Sequence, residues 1–408
     1  MMKKLNSLLL LLMLSLPMMA QDQNFGIRFN GFVKTDVIYD SRQTVALREG
    51  HFLLWPAAQN LDANGKDING APNFNIMSLQ TRLTGNITAP DALGAKVTGM
   101  IEGEFFGTSE GDINGFRLRH AYGKLRWEKS ELLFGQTWHP MFITSCFPDV
   151  VSFNTGAPFQ PFARNPQVRF TWFAGNFSAA ATALVQRDFT SHGGSMVLRS
   201  TGLPEFNLNL MYHKKGDGGH EWLTGFSTGY KTIRPRLVSN ANELATETVS
   251  SMITEAYFKI RIPALTFKLE GVLGQNSHDI MGISSYALIH NHPITNQQDY
   301  APLTSMSVWS EIQSNGTKFQ VGLFGGYTKN LGTIGNEEVH GTMFGSRSNI
   351  DYIYRVAPRL VFNSGKMRFA GELEYTAAAY GDFNSQGAVS NSVEVGNLRV
   401  LVAAFLFF

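Results

Sequence analysis

Arginine and glutamate recur at intervals of two along the first half of this chain. Arg117 and Arg119 stand two apart, as do Glu102 and Glu104, while Arg82 and Arg169 sit in similar alternating runs with Arg164 just ahead of the second. Arg355 and Arg368 repeat the pattern near the other end. Side chains two apart lie on one face of a β-strand, so these residues form rows and not a compact catalytic centre. A row of guanidinium groups along a narrow aqueous passage lowers the barrier to an anion. Carboxylates across from it, here Glu102, Glu104, Asp36, Glu270, Glu372 and Glu374, oppose that effect unless they pair with the arginines. For each arginine alone, a structural ion pair and a solute contact are equally open.

Patterns for covalent or metal chemistry are weaker. Gly107-Thr-Ser-Glu-Gly111 and Gly225-Phe-Ser-Thr-Gly229 match a nucleophile-elbow spacing. That motif needs a strand, a sharp turn and a helix, whereas the first lies in a loop and the second within a strand. Asp62, Asn64, Asp67 and Asn69 resemble half of a calcium loop but lack its glycine and terminal glutamate. His290 and His292 stand two apart in a loop with no third ligand in view. The single Cys146 excludes an intrachain disulfide framework. No catalysis and no cofactor or metal are called for.

The rows must be positioned by strands, and the chain is built of them. In 25–40, Arg28, Asn30, Lys34, Asp36 and Asp40 oppose Ile27, Phe29, Gly31, Val33, Val37 and Tyr39. Similar alternation marks 76–89, 94–106, 113–127, 131–138, 166–174 and 177–188. It continues through 205–214, 222–233, 249–261, 264–275, 304–313, 317–329, 350–362, 366–379 and 393–408, sixteen strands in all. Short turns such as 262–263, 314–316 and 363–365 alternate with long loops at 276–303, 330–349 and 380–392. That alternation is the layout of a transmembrane barrel, with turns on one side of the bilayer and loops on the other. A further strand at 195–200 would make the count odd, so it belongs to the loop 189–204. In 113–127, His120 falls on the apolar face, which implies a subunit contact or a slip of register.

Both ends agree with an exported barrel. Lys3 and Lys4, the apolar run 8–16 and Ala20 read as a signal peptide over 1–20, leaving 21–408 as one barrel domain. Removing Lys3 and Lys4 takes the formal charge from +2 to 0, which gives no reason to expect nucleic acid. Charged residues are 16%, below the usual quarter. The final strand ends on Phe408 with one wholly apolar face. In water such a strand is an aggregation-prone edge; in a membrane it can pair with the first strand and leave no backbone group unpaired. A charge facing lipid at mid-depth costs about 2–4 kcal/mol, so the rows of ionised side chains face inward, and the inside holds water.

Gly115-Phe-Arg-Leu-Arg-His-Ala-Tyr-Gly123, Leu133-Phe-Gly-Gln-Thr-Trp138 and Asn165-Pro-Gln-Val-Arg-Phe-Thr171, with Ile101-Glu-Gly-Glu-Phe-Phe-Gly107 before them, resemble the DcaP-like porins of Gram-negative outer membranes. The resemblance is specific between about Gln80 and Thr171, and beyond that rests on strand pattern. It implies a sixteen-stranded antiparallel barrel, a homotrimer in outer-membrane lipid, and a third outer loop folded inward over 139–165. It also implies passive diffusion of small, often anionic solutes. Members can carry an N-terminal coiled-coil segment, whereas here the first strand is expected to start only a few residues after Ala20. Asp149 is the only carboxylate of the inward loop. With it, Arg82, Arg117, Arg119, Arg164, Arg169, Glu102, Glu104, Arg355 and Arg368 are the expected pore-lining set. The rival expectations are a structural or adhesive barrel without an open pore, and a membrane-embedded hydrolase, which would need a Ser–His–acid set near the rim.

Overall fold

The computed structural model describes residues 25–335, 337–345 and 349–408; the expected signal peptide lies outside them. Sixteen antiparallel strands form the wall: β1 Gly26–Asp40, β2 Arg82–Ala92, β3 Ala95–Glu104, β4 Arg117–Arg126, β5 Ser130–Trp138, β6 Arg164–Ala174, β7 Phe177–Leu184 and β8 Glu205–Lys215, then β9 Glu221–Ile233, β10 Val249–Arg261, β11 Leu265–Gln275, β12 Gln298–Ser314, β13 Phe319–Thr333, β14 Ile350–Ser364, β15 Met367–Phe383 and β16 Val389–Phe407. A short strand, Asn73–Met77, precedes β2 and pairs with the upper part of β1.

The barrel closes between its first and last strands, with Phe32 opposite Phe407 and Asp40 opposite Arg399. Closure removes the exposed edge, which is what a spanning sheet requires. The seam is tight. A Cβ on Gly31 would lie 2.1 Å from the Arg82 carbonyl oxygen, so glycine is needed where β1 passes from β16 to β2.

Alternation sorts the two faces as hydrocarbon and water demand. Phe29, Val33, Phe170, Trp172, Phe226 and Leu373 point outward and are exposed, while Lys34, Asp36, Asp40, Glu270, Glu374 and Arg399 are buried inside. The eleven residues from Leu398 to Phe408 rise about 25 Å along the barrel axis when the strand is tilted, the height of the apolar band of such barrels.

Three local differences from the sequence reading have physical causes. In β4 the pairing skips a residue, with His120 opposite Glu102 but Leu118 opposite Gly103. The bulge at Arg119 turns both Arg119 and His120 inward; the register slips, and His120 makes no outward contact. The loop expected over 380–392 is mostly strand, leaving a turn at 384–388. The loop expected over 276–303 contains a strand, Tyr286–Asn291, and β12 begins at Gln298. Above the bilayer neither face meets lipid, so the pattern fades while the ladder continues. Residues 195–200 carry one helical turn, Met196–Arg199, and no strand.

Candidate pore constriction

The third outer loop, 139–163, leaves the end of β5 and folds into the barrel. Its aromatic residues explain why it goes in. Phe142, Phe153, Phe159 and Phe162 are buried. Phe142 stacks on Trp138 at 3.9 Å and Phe153 on Phe106 at 4.2 Å between ring centroids. The loop backbone, taken from water, needs partners, and the far wall supplies them. Lys259 and Lys268 donate to the carbonyls of Ser145 (3.2 Å) and Phe147 (2.8 Å). Lys34 donates to the Val151 carbonyl (3.0 Å), and Arg355 to that of Ala157 (2.7 Å). Glu311 accepts from the Asp149 amide at 2.7 Å; Glu372 accepts from those of Val151 (2.6 Å) and Ser152 (3.1 Å). Charged side chains of β1, β10, β11, β12, β14 and β15 thus hold the loop across the lumen.

Beneath this loop lies a cavity of about 930 Å³. Its walls are the loop and the inward faces of strands from both ends of the chain. Of the expected set, Arg82, Arg119, Arg169, Arg368, Glu102 and Asp149 line it. Arg117, Arg164, Glu104 and Arg355 face inward but do not reach it. Glu104 is wholly buried at the centre of an arginine cluster. It accepts from Arg117 at 2.6 Å, Arg119 at 2.7 Å and Arg82 at 3.1 Å, and Arg164 approaches to 3.8 Å. Asp188 adds the second acid of that cluster, 2.6 Å from Arg164. Arg355 is also buried and pairs with Glu374 at 2.8 Å.

The expected set left out Lys34, Arg359 and Glu131, which complete the charged lining, and His120 beside them. Lys34 was on the inward row of β1 and could have been found there. His120 depends on the bulge. The lining carries six cations, Lys34, Arg82, Arg119, Arg169, Arg359 and Arg368, against three carboxylates, Glu102, Glu131 and Asp149. Most are paired. Arg119 meets Glu102 at 2.8 Å, Arg359 meets Glu311 at 3.1 Å, and Lys268 meets Asp149 at 2.6 Å. Burial alone would raise the Asp149 carboxyl, but Lys268 and Arg359 outweigh it and hold it below the usual carboxylate range. Two arginines differ. Arg169 is held by Gln167 and the Trp138 carbonyl, and Arg368 by Asn363. Among the described residues neither has a carboxylate within ion-pair distance.

The other candidate motifs serve structure. Ser227, in Gly225–Gly229, sits within β9 and accepts from Asn209 at 2.5 Å, and Ser109 precedes a single 3-10 turn. Asp67 pairs with Arg42 at 3.0 Å and caps the turn Ile68–Gly70. Asp62 accepts from the amides of Asn64 and Lys66. His292 meets Asp299 at 3.0 Å beside His290. Burial pushes the Cys146 thiol up to about 12.

No protein-family model matches the chain, and no curated protein does. Solved structures do. The outer membrane channel DcaP of Acinetobacter baumannii has a TM-score of 0.67 at 14% identity, over 95% of this chain and 99% of that one. An anion-selective porin from Comamonas acidovorans reaches 0.56 at 13% identity, over 94% and 100%. OmpT of Vibrio cholerae, in its trimer form, reaches 0.54 at 10% identity, over 95% and 100%. At such identities the likeness speaks for the fold. The chain folds as an antiparallel sixteen-stranded barrel of the outer-membrane type seen in the channel DcaP.

Proposed function

We propose that this chain is an outer-membrane porin for passive diffusion of small hydrophilic solutes, with a preference for anions. The observation that carries the reading is the pair Arg169 and Arg368 on the wall of the cavity beneath the inward loop. A guanidinium without a carboxylate partner leaves its field to the solute, whereas one bound to Glu104 does not. In a low-dielectric tube that field acts at range. A carboxylate or phosphate ester entering the cavity exchanges part of its hydration for these groups and needs no other chemistry. The apolar outer face suits lipid and a neighbouring copy alike, and the trimer form of a similar barrel supports a homotrimer.

Reversal potentials in a salt gradient across a planar bilayer test the reading. Anion selectivity is expected, and Arg169→Ala with Arg368→Ala should move the potential toward zero. A cation-selective wild-type channel overturns the arginine argument. A folded barrel that gives no conductance steps favours the rival, a structural barrel, which the loop-filled upper lumen makes a serious alternative.

A further inference from the structure

The first outer loop also enters the barrel. Within it, Thr44–Leu47 and Phe52–Pro56 form a hairpin that, among the described residues, pairs only with itself, as a two-stranded sheet apart from the wall. Phe52, Leu53, Leu54 and Trp55 are all 0–3% exposed, so both faces of its second strand are covered. Phe52 lies 5.2 Å from Phe162 and 5.4 Å from Phe153, both in the inward loop 139–163. One guanidinium ties the two loops together: Arg355 donates to the carbonyl of Leu54 and to that of Ala157, each at 2.7 Å. The hairpin's other anchors are side-chain contacts at its tip and ends: the Glu110 carboxylate accepts from the amides of Arg48 (2.7 Å) and Glu49 (3.0 Å), and the Arg48 guanidinium donates to the Phe106 carbonyl at 2.8 Å. Arg399 donates to the Gly50 carbonyl and Tyr380 to the Pro56 carbonyl, each at 2.7 Å, and His51 meets Asp36 at 2.9 Å.

The cavity lining includes the loop 139–163 and the strands, but no residue of this hairpin. The hairpin therefore lies above the loop, on the side from which a solute arrives. No wall strand depends on it for pairing. It can leave as one body, breaking side-chain contacts and an aromatic interface while the barrel ladder stays whole.

We propose that the hairpin Thr44–Pro56 is a second gate, seated on the inward loop, which closes the outer half of the lumen and lifts as a unit to admit solute. This rests on the porin reading above. The hairpin acts on access and leaves the charge selectivity of the cavity to the arginines below.

The test is single-channel conductance of the purified full chain in planar bilayers. Two variants are compared with wild type: residues 44–56 replaced by a short Gly-Ser linker, and Phe52→Ser, which keeps the hairpin but removes its aromatic seat. Heat-modifiable migration in detergent gels identifies folded barrel, and the point variant serves if the replacement does not fold. The expected result is a several-fold rise in mean conductance or open time, with an unchanged reversal potential. If folded variants and wild type conduct alike, the gate is wrong and the porin stands. If none conducts, the porin reading fails and the gate with it.

Discussion

Glu104 shows how little of a buried charge's value is visible from its type. Four arginines converge on it, and among the described residues Arg117 and Arg164 have only Asp188 as a second acid within ion-pair distance. Removing one partner of a buried ion pair leaves the others uncompensated, at a cost of about 3–5 kcal/mol. Glu104→Gln is therefore expected to lower the stability of the folded barrel by about 3 kcal/mol, read from urea unfolding in lipid vesicles by tryptophan fluorescence. Arg82 and Arg119 line the cavity and lose part of their matching charge with Glu104, so the substitution should shift selectivity further toward anions, opposite in sign to Arg169→Ala. A shift in the same direction as Arg169→Ala would overturn the field argument. Alternation put Arg117 and Arg169 on the same side of their strands and could go no further. Which of two inward arginines keeps a free field depends on where Glu104 and Asp188 end, and that is a matter of three dimensions.

At the scale of elements, strands that separate lipid from water were legible because two solvents label their faces. The bulge at Arg119 was visible only as His120 on the wrong side. The hairpin in the first outer loop left one sign that went unread: Phe52, Leu53, Leu54 and Trp55 are consecutive apolar residues in a polar loop, and a run of that kind needs cover. The closing seam gives an element-level prediction. Gly31→Val would put side-chain atoms against the Arg82 carbonyl, which a single Cβ already meets at 2.1 Å. Overpacking of this order costs about 1–3 kcal/mol, and a drop in the folded, heat-modifiable fraction on refolding is expected. A second concerns His51, in the loop of the hairpin. Burial holds its imidazole below the ordinary 6.5; Asp36 opposes that shift, while Lys34 and Arg399 add to it. The rings of Phe106 and Phe153 pack beside it. The seated hairpin thus favours the neutral ring. Its stabilisation is complete above pH 6.5 and is lost as pH falls below that, by up to about 1.4 kcal/mol per unit. Channel activity should rise on going from about pH 8 to about pH 5, and His51→Asn should flatten the profile. A profile unaltered by that substitution would remove His51 from the response.

For the whole molecule, the outer face is uncharged across the apolar band and the charges are gathered within, so selectivity is a field effect of the lumen and not of contacts made one by one. Such a field has a range set by salt. The screening length is about 10 Å at 0.1 M and about 3 Å at 1 M ionic strength. A solute passing through a cavity of about 930 Å³ is within reach of both Arg169 and Arg368 at the lower salt, and of neither unless it touches them at the higher. The ratio of anion to cation permeability should therefore be largest in dilute gradients and fall steadily as both reservoirs are made more concentrated. The double variant Arg169→Ala, Arg368→Ala should show a smaller ratio and a weaker dependence on salt, since the remaining cations are largely matched by Glu102, Glu104 and Glu311. A ratio that stays constant over that range would mean that anions are selected by direct binding at one site, and the cavity would then have to be treated as a receptor with saturable flux. Measuring flux against solute concentration at fixed ionic strength separates the two, because a field raises the rate without limiting it and a binding site does both.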